Sequence, residues 1–181
     1  MSIFDKLFVT LSLLLSIIGS TQVFATPRED AIKSGFIYNF VRYSNGDWFD
    51  PDKSKHYLIC SFDAQFVEIA ASTLKERSIE NRPVVLKLVE PDLVGLKDCN
   101  TLFVSKNNID LWTRTLIHHR LSKLMLVGEF DGFIETGGQI NFFIVGGKVR
   151  FEVNQNRLRE AGIEMSSKVL RLGRINKGDN E

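Results

Sequence analysis

A chain of 181 residues, 44% hydrophobic and 25% charged, is long enough to bury a sizeable core and reads as one domain. Its formal net charge of +1 at pH 7 supplies no basic footprint for nucleic acid and no strong attraction to an anionic membrane surface.

Met1–Ala25 reads as an export leader removed before Thr26. Lys6 precedes an apolar run from Leu7 to Ile18, and Val23-Phe24-Ala25 offers small residues where a signal peptidase needs them. At about 12 residues the run is shorter than the ~20 a membrane-spanning helix requires, so direct membrane insertion is not expected. A buried N-terminal helix is the alternative, and the order charge, apolar run, small residues speaks against it. No cysteine stands beside Ala25 to take a lipid. The expectation is an exported domain over 26–175 with a polar tail, 176–181.

Arg28–Tyr43 carries Ile32, Phe36, Phe40 and Tyr43 on one helical stripe, widened by Ile37 and Val41. Asn45-Gly46-Asp47 ends that helix. Tyr57–Phe62 is a short continuous apolar run, the pattern of a strand covered on both faces. Ala64–Arg77 reads as a helix with Phe66, Ile69, Ala70, Thr73 and Leu74 inward. Strands follow at Pro83–Val89 and Thr101–Ser105, a helix at Ile109–Leu121 and a strand at Leu124–Gly128. Alternating strands and helices specify an α/β fold, a single mostly parallel sheet flanked by helices.

Gly137–Asn154, GGQINFFIVGGKVRFEVN, closes the pattern with a hairpin turning at Gly146-Gly147. With those glycines central, Ile144 faces Val149, Phe142 faces Phe151 and Ile140 faces Val153, giving an apolar face. The other face pairs Phe143 with Arg150 and Asn141 with Glu152, which suits water. A slip of one residue would turn one strand's apolar set outward. Asn154 caps a short helix, Gln155–Ala161, that ends at Gly162. Ile163–Met165 is extended, and a last helix, Lys168–Arg174, carries Val169, Leu170 and Leu172.

Cys60 and Cys99 are the two cysteines, one inside the first strand and one just before the third. In an exported chain an isolated pair is read first as a disulfide, with two buried free thiols as the alternative. Metal binding fits poorly, because CxxC spacing and neighbouring histidines are missing. His118 and His119 are adjacent, so on a helix they point about 100° apart and do not grip one metal as an i, i+4 pair would. His56 stands alone. No GxSxG, HExxH, phosphate loop or GxGxxG occurs. Glu129 and Asp131 flank a loop and read as a solvated turn. No catalytic residue, cofactor or metal ligand is assigned. The 14 Phe, 2 Trp and 3 Tyr mostly have inward positions, so they are read as core. The exposed part of the last third offers an aromatic and mixed-charge surface instead. Phe143, Arg150, Arg157, Leu158 and Arg159 are the expected partner-binding residues, with a merely solvated surface as the alternative.

The helix AIKSGFIYNFVRY with its following Trp, the GGQINFFIVGGKVRFEVN hairpin and the block AGIEMSSKVLRLGRI resemble, in order, the hallmarks of YfiR-like periplasmic proteins. The resemblance spans about residues 28–175. Cys60 and Cys99 look like the strand-linked pair of some members. A second disulfide that members carry around the hairpin has no counterpart, since no cysteine lies between Gly128 and Arg150. The resemblance implies regulation without catalysis: binding and repression of the periplasmic domain of an inner-membrane diguanylate cyclase, and thereby control of cyclic di-GMP and biofilm. It also implies an OmpA-like outer-membrane lipoprotein as antagonist, and homodimers. The competing class is a periplasmic small-molecule binding module that feeds another membrane sensor, such as a histidine kinase.

Overall fold

The computed structural model describes residues 27–118, 121 and 123–176. The expected leader, His119 and the end of the expected tail lie outside these residues. Among the described residues no helix is long and apolar enough to cross a membrane.

Helix α1 (Pro27–Arg42) is followed by β1 (Ser44–Gly46), β2 (Tyr57–Ser61), α2 (Ala64–Thr73), β3 (Ser78–Ile79) and β4 (Arg82–Leu88). A short turn of helix, α3 (Leu93–Leu96), leads to β5 (Thr101–Val104), α4 (Ile109–His118) and β6 (Met125–Gly128). The chain ends with the hairpin β7 (Ile140–Val145) and β8 (Lys148–Asn154), then α5 (Gln155–Glu160), β9 (Ile163–Met165), α6 (Ser167–Leu170) and β10 (Arg174–Asn176). Eight strands form one sheet in the order β10-β8-β7-β6-β5-β2-β4-β3, while β1 and β9 pair separately. Neighbours from β4 through β7 are all parallel.

In chain order the parallel strands run outward from β2 to β4, then return past β2 to β5, β6 and β7. That is a doubly wound sheet whose winding reverses between β2 and β5, and in such sheets the carboxyl ends at the reversal form the usual ligand crevice. Two cores result. Tyr57, Ile59, Phe103, Val127 and Phe142 face α1 and α2, whereas Cys60, Leu102, Val104 and Leu126 face Trp112 of α4 and Phe133 of the loop before β7. That loop is held to α4 by the Trp112 indole N–H, which donates to Thr136 Oγ1 at 3.0 Å.

The hairpin pairs as the side-chain alternation requires: Ile140 with Val153, Phe142 with Phe151, Ile144 with Val149. Gly146 and Gly147 adopt φ of 57° and 71°, the left-handed turn that only such residues enter without strain. The faces differ from expectation at both ends. Ile144, two residues before the turn, is 49% exposed, whereas Asn141 and Glu152 are buried, Asn141 bonded to the loop after β6. Alternation alone assigned them to water. The sheet's second face is covered, and they satisfy each other instead.

Helix α1 also sits rotated from the apolar stripe. Ile32 and Tyr43 are exposed, whereas Lys33, Ser34, Ile37, Phe40 and Val41 face inward. Phe40 packs edge-on against Phe151 at 4.7 Å and lies 5.7 Å from Phe142, so the aromatic contacts with the hairpin fix the rotation. Helix α2 stops at Thr73, and the expected last helix is only Ser167–Leu170. Gly173 interrupts it: a Cβ there would lie 2.4 Å from the Phe151 ring, so the backbone must pass close by. Arg174–Asn176 then pairs in parallel with Glu152–Asn154, which places Asn176 in the sheet and not in a tail. Cys60 and Cys99 form a disulfide with Cα atoms 5.9 Å apart, beside the reversal between β2 and β5.

Candidate functional site

The carboxyl ends of the parallel strands are where a doubly wound sheet offers a crevice. Here α1 lies at that place. Its first turn carries Glu29 and Asp30, Lys33 follows one turn on, and the Lys33 side chain reaches Glu129, the residue that follows β6. Lys33 Nζ lies 2.6 Å from Glu29 Oε1 and 3.7 Å from Asp30 Oδ1, and it donates to Glu129 Oε2. Glu129 Oε1 accepts from the Lys106 backbone N–H at 3.1 Å, so one carboxylate joins α1 to the ends of β5 and β6. Glu129 is therefore no solvated turn: its side chain is 6% exposed and is the anion that makes a buried lysine tolerable.

Burial works against the Lys33 ammonium, but attraction and hydrogen bonds from Glu129 and Glu29 outweigh it and hold the lysine above its ordinary pKa. It stays charged and is no nucleophile. Asp30 moves the other way. Burial raises its carboxyl from 3.8 to about 6, against the pull of Lys33 and with help from Glu129, Asp63 and Glu29. The folded state thus binds the extra proton across that interval, so stability falls as pH rises from about 4 to about 6 and is level above. Asp30→Asn removes the ionisation. It is expected to stabilise the protein by about 1–2 kcal/mol at pH 7 and by nothing below pH ~4. Urea unfolding across pH 4–8 checks it; a variant less stable at every pH would show that the carboxylate is needed.

The second group lies on the hairpin. Phe143 and Arg150 are cross-strand partners, as expected, and Arg174 of β10 joins them. The Arg174 guanidinium lies over the Phe143 ring at 4.8 Å and binds Glu152 Oε2 through Nε and Nη2 at 3.1 and 2.7 Å. Glu152 Oε1 accepts from Asn141 Nδ2, and Asn141 Oδ1 accepts from the Phe130 N–H. A chain of bonds therefore runs from the half-buried Phe143 and exposed Arg174 inward to the loop after β6. Arg174 was missed because it reads as the end of a helix; only the parallel pairing of β10 with β8 brings it here.

The remaining expected residues do not join this group. Arg157 and Arg159 lie on α5, beyond the opposite end of β8 from the turn, with the four steps from Arg150 to Asn154 alone spanning roughly 13 Å. Arg159 is exposed and Arg157 half-buried, so the helix can present charge. Leu158 cannot take part directly. It is 1% exposed and belongs to the core that seats α5, because Asn154 caps the helix and turns that side chain under it. His56 is exposed, and among the described residues no group of three or more His, Cys, Asp or Glu could hold a metal.

The site that emerges is an ion cluster at the usual ligand crevice, next to an aromatic–arginine surface on the hairpin. No nucleophile is poised against a base in either. The chain matches the YfiR/HmsC-like family model over residues 30–174, and it belongs to that family. Members of this family are periplasmic regulators. Among curated proteins no relative matches the chain.

Proposed function

We propose that this protein is exported by its Met1–Ala25 leader and represses an inner-membrane diguanylate cyclase by binding the cyclase's periplasmic domain. Membership of the YfiR/HmsC-like family across nearly the whole described chain carries this reading. An OmpA-like outer-membrane lipoprotein is the partner that would draw the repressor away and release cyclic di-GMP synthesis.

Phe143, Arg150 and Arg174 form the docking surface in this proposal, with Arg157 and Arg159 a separate contact further along. The chemistry supports the assignment. Aromatic and arginine side chains dominate interface energetics, and Arg174 is already oriented by Glu152, so little rotamer freedom is lost on docking. Phe143→Ala with Arg150→Glu is expected to weaken capture of the cyclase periplasmic domain at least about tenfold, which corresponds to about 1.4 kcal/mol. Arg157→Glu with Arg159→Glu tests the α5 contact independently. Surface plasmon resonance reads both, with thermal melts to verify folding; unchanged capture removes the corresponding patch. In cells, deletion is expected to raise cyclic di-GMP, the parent gene to reverse the rise, and the Phe143/Arg150 variant to fail. No rise on deletion would overturn the repressor reading.

A further inference from the structure

The amino ends of the parallel strands, at the other end of the sheet from Lys33, hold a cleft of about 730 Å³. Leu58, Leu96 and Leu124 line its base, the last two buried, with Ser54, His56 and Asn100 also in the lining. Its rim is cationic, with Lys53, Lys55, Lys97 and Lys123 against a single acidic lining residue, Asp98. Lys53 pairs with Asp50 at 2.7 Å on the surface, but Lys55, Lys97 and Lys123 make no ion pair among the described residues. The whole chain carries a formal charge of only +1, so this concentration is local. We propose that the cleft is a binding site for an amphipathic anion, an alkyl chain ending in a carboxylate, with the chain on the leucine floor and the head among the rim lysines.

Three observations select that chemistry. The size falls within the range of small-molecule sites, roughly 300–1,000 Å³. Two backbone donors at the base are already engaged: the Leu58 N–H donates to Asn100 Oδ1 at 2.9 Å, and the Asn100 N–H to the Leu58 carbonyl at 3.0 Å. Charge recognition therefore falls to lysine ammonium groups, which act as point charges on apolar stems and suit a single head group on an oily body. Leu93 at the mouth is 62% exposed, and the adjacent Val94 is 82% exposed, extending the apolar track beyond the rim. An alkyl chain would cover that track. A small hydrophilic anion would leave it wet.

The test uses the purified mature chain and sodium dodecanoate below its micelle concentration, and needs no cyclase, so it is independent of the repressor reading. Calorimetric titration and thermal melts are expected to show saturable binding and a raised melting midpoint. Acetate, which keeps the head, and dodecanol, which keeps the chain, are expected to bind at least about tenfold more weakly. Lys97→Glu with Lys123→Glu, both exposed positions, is expected to lose at least about tenfold in dodecanoate affinity with the unliganded melt unchanged. Absence of saturable binding, equal binding of acetate or dodecanol, or indifference to the double charge reversal each overturns the proposal. Tighter binding of hexaglutamate than of dodecanoate would overturn it in favour of an acidic protein segment.

Discussion

Lys33→Met is expected to destabilise the protein by about 3–5 kcal/mol at pH 7, the range for removing one partner of a buried ion pair. Methionine matches the length of the lysine stem, so packing of α1 is kept and the electrostatic loss is isolated. What remains is a set of carboxylates without their cation: Asp30 and Glu129 have side chains only 6% exposed, and Glu29 24%. The loss is expected to shrink as pH falls, because protonation neutralises the stranded acids; Asp30, already raised to about 6 beside Lys33, loses the one group pulling it down. Guanidinium unfolding at pH 7 and pH 4 measures both effects. Lys33→Met combined with Glu129→Leu is expected to recover part of the loss, since an apolar pair of similar volume needs no compensation. A loss below about 1 kcal/mol at pH 7 would mean that water reaches the cluster and that α1 is held by its aromatic face alone.

That outcome bears on how α1 is seated. In a doubly wound sheet the loops after the strands usually bind the ligand; here the first turns of α1 lie at that place. The cluster ties them to the ends of β5 and β6. In the proposed function, interaction with a partner falls to the hairpin side, where the Glu152–Arg174 pair and the Phe143 ring reach the surface.

The hairpin was legible because two signals agreed. Gly146-Gly147 fixed the turn, and alternation of Ile140, Phe142 and Ile144 against Val149, Phe151 and Val153 fixed the register, all within one short stretch. The parallel strands were legible as short apolar runs, but their order was not, because it depends on which faces the crossovers cover. The ion cluster was hidden for a related reason. Lys33 and Glu129 are 96 positions apart, and a lysine inside an amphipathic helix reads as solvent-facing until its counter-ion is placed. Asn141 and Glu152 were misread by the same logic: alternation separates two faces, but only the fold shows that both are covered. Arg174 needed β10, a strand of three residues at the sheet edge with too little pattern to announce itself.

Breaking the Cys60–Cys99 bond is expected to cost about 4 kcal/mol, the loop-closure value for cysteines 39 positions apart. Cys60 is fully buried and Cys99 nearly so, so Cys60→Ala with Cys99→Ala compares two folded chains that differ mainly in how freely the unfolded chain expands. The bond closes the excursion that leaves the centre of the sheet at β2, forms β4 and the edge strand β3, and returns through α3 to β5. Without it, the β2–β5 and β2–β4 pairings and the packing of Phe66, Ala70, Leu74 and Ile79 in the main core hold that excursion in place. Denaturant unfolding of the parent with and without reductant is expected to show the loss together with a steeper dependence on denaturant, since the reduced unfolded chain exposes more surface. The double variant should behave alike in both conditions. An unchanged midpoint, after mass spectrometry confirms reduction, would show that the sheet alone determines the closure. Leu96, Lys97 and Cys99 also form one wall of the lysine-rimmed cleft, so loosening this segment is expected to weaken dodecanoate binding in step with stability. A reduced chain that binds as tightly as the oxidised one would place the energetic centre of the cleft on Leu58 and Leu124, at the strand ends.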